Sequence, residues 1–184
     1  FLPGEKGRDR DGIIEGCQTG DIPTVILYGA DEIDCAELGD AFVIYVGSHG
    51  DRGAHGADVI LPAAAYTEKQ AIFVNTEGRP QMTERAAFPP GEAREDWKIF
   101  RALSDSLGMT LDFDTVDALR ATLFKHAPQL ARLDTLVPAG APEKPTRDVR
   151  DLDEAAFAPF VTDYYFTNPI ARASATMAAC AEAK

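Results

Sequence analysis

The sequence contains few cysteines, and they lie far apart, at Cys17, Cys35 and Cys180. They form no C-x-x-C pair and none of the spacings typical of zinc or iron–sulfur ligands. An odd number of cysteines without a secretion signal indicates a reducing compartment. We therefore expect three unpaired thiols that act as small, partly buried apolar side chains.

The sequence also lacks long apolar runs and an excess of positive charge. No segment approaches the roughly 20 consecutive apolar residues that a membrane-spanning helix needs. The net charge is -12, because 30 acidic residues outnumber 18 basic ones. Nucleic acids and anionic lipids attract basic surfaces, so this composition argues against both as partners. A hydrophobic content of 45% is typical of a globular protein with a core.

The N-terminus lacks both an initiator methionine and the basic-then-apolar pattern of a signal peptide. We therefore expect Phe1 to be a cut or processed end, or to lie inside a longer chain.

Three apolar, β-branched runs predict the fold class. They occupy residues 24–28, 41–46 and 58–61, and each is stopped by glycine or proline. Continuous apolar runs are typical of parallel strands that are buried on both faces. The sequence therefore predicts an α/β fold with a parallel sheet. The connections are short for crossovers, so either the connecting helices are stubby or part of the sheet lies upstream of Phe1.

The remaining pattern predicts flanking helices, a β-hairpin and a C-terminal helix. Gly78 is suited to a tight turn. Asp114 is suited to cap a helix N-terminus, and Asn168 followed by Pro169 is suited to start a helix. The predicted elements are a short helix at 12–17, hairpin strands at 71–74 and 81–86, helices at 92–107 and 114–127, a linker at 138–150, an aromatic strand at 160–167 and a helix at 170–183. The predicted domains are a sheet segment with the hairpin at 1–88, a helical segment at 89–137, and a linker with strand and helix at 138–184.

The loop at residues 47–56 follows the second predicted strand. In open α/β sheets, ligands bind at the carboxyl ends of the strands. Its glycines recur every third residue, so neither G-x-G-x-x-G nor the phosphate-binding G-x-x-x-x-G-K-[ST] occurs. A free-standing nucleotide-binding module is therefore a weaker hypothesis, which NADH titration would test.

Four residues in and beside this loop have side chains that suit zinc or iron, namely His49, Asp51, His55 and Asp58. No helical or hairpin spacing presents them together. We favour a polar surface loop and predict no metal ligands and no catalytic residues.

Several stretches resemble a known family. A signature similar to that of the molybdopterin oxidoreductase superfamily lies in residues 57–62, Glu68 with Lys69, and residues 75–79. Three more stretches, at residues 29–32, 91–98 and 167–174, resemble the C-terminal part of the large iron–sulfur subunit of NADH:quinone oxidoreductase, respiratory complex I. The resemblance covers nearly the whole chain except residues 138–150.

This resemblance implies a cofactor-free segment with the molybdopterin-enzyme fold. The iron–sulfur clusters of the family are expected in an N-terminal part whose cysteine motifs are absent from this sequence. The implied partners are other subunits of the hydrophilic arm, with no nucleic acid and no direct membrane insertion. The implied location is the cytoplasmic face of a bacterial inner membrane, which the alanine-rich composition favours, or the matrix side in a eukaryote. Residues 164–166 and the C-terminal helix should then be rich in subunit contacts.

The alternative is a fragment of an active molybdopterin-dependent oxidoreductase such as a formate dehydrogenase. The resemblance then implies that the loop at 47–56 and the turn at 75–79 lie near the pterin. The candidate cofactor residues are Ser48, His49, Asn75, Glu77, Gly78 and Arg79. Bound molybdenum would discriminate between the two hypotheses.

Overall fold

The computed structural model describes residues 7–50, 52–136, 156–159, 161 and 163–183. The chain divides into two units, Phe1–Leu136 and Val137–Lys184. The predicted linker at 138–150 lies outside the described residues, and the domain boundaries predicted at 88 and 137 stay predictions.

A three-stranded parallel sheet is the centre of the first unit. Its strands are β1 (Thr24–Tyr28), β2 (Phe42–Gly47) and β3 (Val59–Pro62), in the order β1-β2-β3. Leu27 lies opposite Tyr45, and Tyr45 lies opposite Ile60. The predicted partial parallel sheet is confirmed. Its connections are short, consisting of a 3-10 turn at Cys35–Leu38 and the four-residue helix α2 (Arg52–His55).

The core lies on one face of this sheet, named here the first face. Helix α1 (Arg10–Thr19) packs on it, and Cys17 belongs to one buried cluster with Leu27, Val43 and Tyr45. The helix is longer than the predicted 12–17. Asp9 caps its N-terminus by accepting a 2.9 Å hydrogen bond from the Gly12 N–H, and Gly20 ends it in the left-handed region.

The opposite face, named here the second face, is largely open. It carries Ile26, Phe42 and Val59, which are 40%, 46% and 37% exposed. The expectation that the strands are buried on both faces is therefore wrong for these residues. An apolar run shows that a strand can be buried on both faces, but it does not show which other elements cover those faces. The sequence pattern alone therefore gave a wrong expectation for these residues.

The predicted hairpin is confirmed, with strands β4 (Ile72–Val74) and β5 (Pro80–Met82) pairing antiparallel. Gly78 takes a φ of 85° in the turn, as its freedom from a side chain allows. Strand β5 is shorter than the predicted 81–86. The Thr83 N–H still donates to the Ala71 carbonyl at 2.9 Å, but farther along the N–H groups of Ala86 and Ala87 bond to the carbonyl of Thr67.

Helix α3 (Asp96–Ser106) begins four residues later than predicted. The preceding segment bonds to the sheet instead: the N–H of Arg94 donates to the Pro62 carbonyl, and its own carbonyl accepts from Ala64. These bonds extend the outer edge of β3 and delay the helix. Leu107, the last residue of the predicted helix, lies beyond α3 and is exposed.

Helix α4 (Val116–His126) is capped by Thr115, not by Asp114 as predicted. The Thr115 hydroxyl accepts a 3.1 Å hydrogen bond from the Ala118 N–H. Asp114 pairs instead with Arg101 of α3 at 2.9 Å.

In the second unit, the predicted single helix at 170–183 is two helices, α5 (Pro169–Arg172) and α6 (Ala175–Glu182). The Asn168 cap is confirmed, because its side chain accepts from the Ala171 N–H at 2.9 Å. Ser174 is extended and caps α6. Of the predicted aromatic strand, Tyr164 and Tyr165 form a turn, while residues 160 and 162 lie outside the described residues.

Candidate functional site

The turn at residues 75–79 satisfies its own polar groups. The Asn75 side-chain oxygen accepts hydrogen bonds from the N–H groups of Glu77 and Arg79, each at 3.0 Å. The Arg79 guanidinium donates to the carbonyl of Asp134 at 2.7 Å and lies 3.5 Å from the Glu77 carboxylate. The turn therefore anchors the hairpin to the segment after α4, and its amide and guanidinium are already engaged.

The other candidate pair lies after β2. The Ser48 hydroxyl is 3.1 Å from Nδ1 of His49, and the His49 carbonyl accepts a hydrogen bond from the Tyr45 hydroxyl. A serine beside an imidazole is the beginning of a nucleophile–base pair, but activation also needs a group that orients the base. No carboxylate of the described residues bonds to this ring. Nor does any described hydrogen bond or ion pair join this loop to the turn at 75–79.

The four residues considered as metal ligands have separate environments. His55 ends α2, and the Asp58 carboxylate accepts a 2.7 Å hydrogen bond from the Val43 N–H, which fixes the end of the sheet. Asp51 lies outside the described residues. In the part of the chain that the structure describes, no group of three or more histidines, cysteines or acidic residues could hold a metal ion.

A polar cluster that the sequence analysis missed joins three elements. The Asp96 carboxylate, at the start of α3, accepts hydrogen bonds from the Tyr28 hydroxyl at the end of β1 and from the Lys69 ammonium before the hairpin. The Lys69 and Asp96 side chains are only 19% and 13% exposed. The bonded residues are 68 and 27 positions apart, so no local spacing could have revealed the cluster.

The electrostatics of this cluster favour a neutral tyrosine. Burial raises the pKa of Tyr28 above its ordinary value, and the hydrogen bond to Asp96 and the charge of Asp96 raise it further. The second carboxylate oxygen of Asp96 is buried without a hydrogen-bond partner among the described residues. The cluster therefore holds the sheet, the hairpin and α3 together, and it does not present a nucleophile.

A neighbouring polar cleft of about 480 Å³ lies beside the N-termini of α3 and α4. Its most buried acid is Glu95, which accepts hydrogen bonds from the Trp97 indole at 3.1 Å and the Lys98 ammonium at 2.9 Å. Burial raises the pKa of Glu95, but these bonds and the charges of Lys98 and Arg85 lower it by more, so the pKa lies below its ordinary value. Glu95 is therefore a structural carboxylate.

Membrane-spanning segments do not occur among the described helices, none of which has the length and apolar character to cross a bilayer.

Comparison with known proteins gives close relatives. The chain is similar to the mitochondrial NADH-ubiquinone oxidoreductase 78 kDa subunits of Neurospora crassa (44% identical over 87% of this chain and 22% of the relative) and Candida albicans (45% identical over 85% and 23%). It is also similar to the mitochondrial NADH dehydrogenase [ubiquinone] iron-sulfur protein 1 of Solanum tuberosum (44% identical over 85% and 21%). The chain therefore spans about a fifth of the length of these curated relatives.

Two family models match different parts of the chain. The model for molybdopterin oxidoreductase matches residues 6–106, which is more than half of the chain. The model for the C-terminal domain of the G-type subunit of NADH-ubiquinone oxidoreductase matches residues 136–180. These matches confirm the resemblance that the sequence motifs predicted. The chain therefore belongs to the molybdopterin oxidoreductase family and carries, at residues 136–180, a region that matches the C-terminal domain of an NADH-ubiquinone oxidoreductase subunit.

Proposed function

We propose that this chain is a cofactor-free, subunit-contacting C-terminal segment of the iron–sulfur subunit of respiratory complex I. The whole complex would pass electrons from NADH to quinone, while this segment helps to build the hydrophilic arm. One observation carries the proposal: the molybdopterin oxidoreductase match and the match to the C-terminal domain of an NADH-ubiquinone oxidoreductase subunit occur together in one chain. The similarity to three NADH dehydrogenase subunits supports it.

The hydrogen bonds of the candidate cofactor residues support the cofactor-free part of the proposal. A pterin with its phosphates would need free donors, since phosphates bind to N–H groups and guanidinium ions. Asn75 and Arg79 instead engage their side chains within the hairpin and on the Asp134 carbonyl. The acidic Glu77 stands beside Arg79. The engagement of these side chains within the turn supports a segment that holds no pterin.

The proposed setting is a peripheral arm on the mitochondrial matrix side, or on the cytoplasmic side of a bacterial inner membrane. The relatives are named as mitochondrial subunits, which supports the first location. Iron–sulfur clusters would lie in the part of the subunit that this chain does not contain, and the partners would be other subunits of the arm.

An experiment on Arg79 separates this proposal from the alternative of an active molybdopterin enzyme. We expect Arg79→Ala to loosen the hairpin, because the guanidinium loses its 2.7 Å bond to Asp134. The activity per assembled complex should stay unchanged while thermal stability falls. Molybdenum and pterin should be absent from the purified complex with or without the substitution.

The control is Arg132→Ala, which removes an exposed arginine near Asp134 that does not belong to the turn.

The alternative, an active molybdopterin enzyme, draws its support from the match at residues 6–106 alone. Stoichiometric molybdenum or pterin, lost in Arg79→Ala, would overturn the proposal and make the turn a cofactor site.

A further inference from the structure

The second face of the sheet is an apolar surface that the described chain covers only at one end. Tyr28, at the carboxyl end of β1, packs edge-to-face on Phe100 of α3 with ring centroids 5.4 Å apart. Leu61 likewise lines a groove with Ile99 and Leu103 of the same helix. Toward the amino ends of the strands, Ile26, Phe42 and Val59 remain exposed.

The connections between the strands cannot cover this surface, because they lie on the other side. The 3-10 turn between β1 and β2 contributes Leu38 to the core of the first face, and α2 contributes Ala54. Parallel sheets occur almost only with both faces covered by helices. A sheet whose successive connections lie on one face gains a cover on the other face from segments that lie elsewhere along the chain.

The two edges of the sheet also differ in how far they are covered by other backbone. Beyond β3, the backbone of Arg94 bonds to Pro62 and Ala64 and occupies part of that edge. Within the described residues, β1 pairs only with β2, so its outer edge carries no strand. The uncovered face and the uncovered edge meet at β1.

We propose that a helix from the part of the same subunit that precedes this segment covers the second face over Ile26, Phe42 and Val59. This inference rests on the proposed function, because it requires the chain to be part of a longer subunit. The relatives are more than four times as long as the region they share with this chain. The match of residues 136–180 to a model described as C-terminal supports placing most of that additional length before the shared region.

An intramolecular cover also fits the chemistry of the surface. Ile26, Phe42 and Val59 are apolar and lie on one sheet face, where Thr24 is an exposed polar neighbour of Phe42. An apolar sheet face is the kind of surface that a domain core buries. Segments of one polypeptide meet without the loss of translational freedom that a separate subunit incurs on binding. The occupant is therefore expected to present an apolar helical stripe.

Photo-crosslinking in the complete, assembled complex tests the proposal. The residue p-benzoylphenylalanine is placed at Phe42, where an aromatic side chain already points out of the second face, and the crosslinked peptides are identified by mass spectrometry. We expect crosslinks to peptides of the same subunit that precede Phe1 of this segment. The control site is Phe88, which is 79% exposed and belongs to no strand, and it should not capture those peptides.

Other captured peptides would overturn the proposal in distinct ways. Crosslinks to another subunit would make the second face an interface between subunits, and crosslinks to a second copy would make it a dimer interface. Crosslinks confined to this segment would mean that no upstream helix covers the face. If the label at Phe42 prevents assembly, Val59→Cys with thiol labelling gives a second measurement. There, loss of reactivity in the complete subunit supports the proposal and full reactivity overturns it.

These results are independent of the cofactor test. Molybdenum in the complex would overturn the cofactor-free function without affecting which peptide lies over Phe42. Conversely, a crosslink to another subunit would leave the cofactor-free function standing.

Discussion

At the scale of single residues, Asp96 connects different elements of the fold through its carboxylate. Its carboxylate accepts from Tyr28 and Lys69, which belong to different elements. The ion pair between Lys69 and Asp96 is largely buried. Removing one partner would leave the other charge poorly solvated, so the stability of the fold depends on both. The sequence places Asp96 only in the first turn of a helix, where a carboxylate is favoured by the dipole.

We expect Asp96→Asn to lower the free energy of unfolding by about 2–4 kcal/mol, because Lys69 would keep its charge without a counter-ion in a largely buried site. Urea unfolding followed by Trp97 fluorescence would measure the loss. The matched control is Asp114→Asn, which removes an exposed carboxylate from Arg101 and should leave the unfolding midpoint nearly unchanged. Equal midpoints for Asp96→Asn and the unmodified protein would contradict the structural role of the cluster.

The lowered pKa of Glu95 predicts that the free energy of unfolding depends on pH. Its pKa in the folded state lies below its ordinary value of 4.5, so the unfolded state binds the proton more tightly. The stabilisation is therefore present above pH 4.5 and is lost as the pH falls through the folded-state pKa. We expect the unmodified protein to lose stability more steeply over this range than Glu95→Gln.

Urea midpoints measured at a series of pH values would check this expectation. Glu92→Gln is the control, since Glu92 is an exposed residue of the same segment and its removal should leave the slope unchanged. Parallel profiles for Glu95→Gln and the unmodified protein would show that Glu95 contributes no pH-dependent stability.

At the scale of elements, the caps decide where helices begin. Asn168 starts α5 as predicted, but Ser174 interrupts the expected continuous helix by accepting a 3.3 Å hydrogen bond from the Met177 N–H. Serine is a better N-cap than a helix-interior residue, because its hydroxyl competes for backbone groups. The alanine-rich pattern predicted the helix, and the cap fixed its start.

We expect Ser174→Ala to destabilise α6 by about 1 kcal/mol through loss of the cap. Hydrogen exchange of the amides in α6 should become faster, while exchange in α1 should not change. Thr176→Ala, an exposed substitution inside the same helix, is the control and should leave exchange in α6 the same or slower. Unchanged exchange in Ser174→Ala would mean that the α5–α6 break does not depend on the cap.

At the scale of the whole molecule, several apolar side chains are exposed in the second unit. Tyr164 is 73% exposed, and Phe157 and Ile170 are exposed as well. Exposed aromatic residues are enriched at protein interfaces, because they bury a large area at a small cost in conformational entropy. The predicted contact role of residues 164–166 and the C-terminal helices stays a prediction.

We expect hydrogen exchange over residues 163–183 to be slower in the assembled complex than in the free subunit, because a partner would cover Tyr164 and its neighbours. Exchange at α1, whose inward face is already packed on the sheet core, is the internal reference. Equal exchange in the free and assembled states would place the subunit contacts elsewhere on the chain.

Short stretches of sequence were enough to predict the elements that rest on local physics. Apolar runs predicted the three strands, Gly78 the hairpin turn, Asn168 a helix start, and the motifs at 57–62 and 75–79 the family. Strand period, turn conformation and capping each depend on a few neighbouring residues, so they can be predicted without knowing the fold.

Long-range packing, in contrast, determined which partners those elements meet. It paired Asp96 with Lys69, engaged Arg79 on Asp134, delayed α3 through the backbone of Arg94, and left Ile26, Phe42 and Val59 exposed. These features join residues that are distant in sequence, and their burial depends on what lies across the interface. Hydrophobic periodicity states which side chains can be buried, and the packed fold alone decides which of them are.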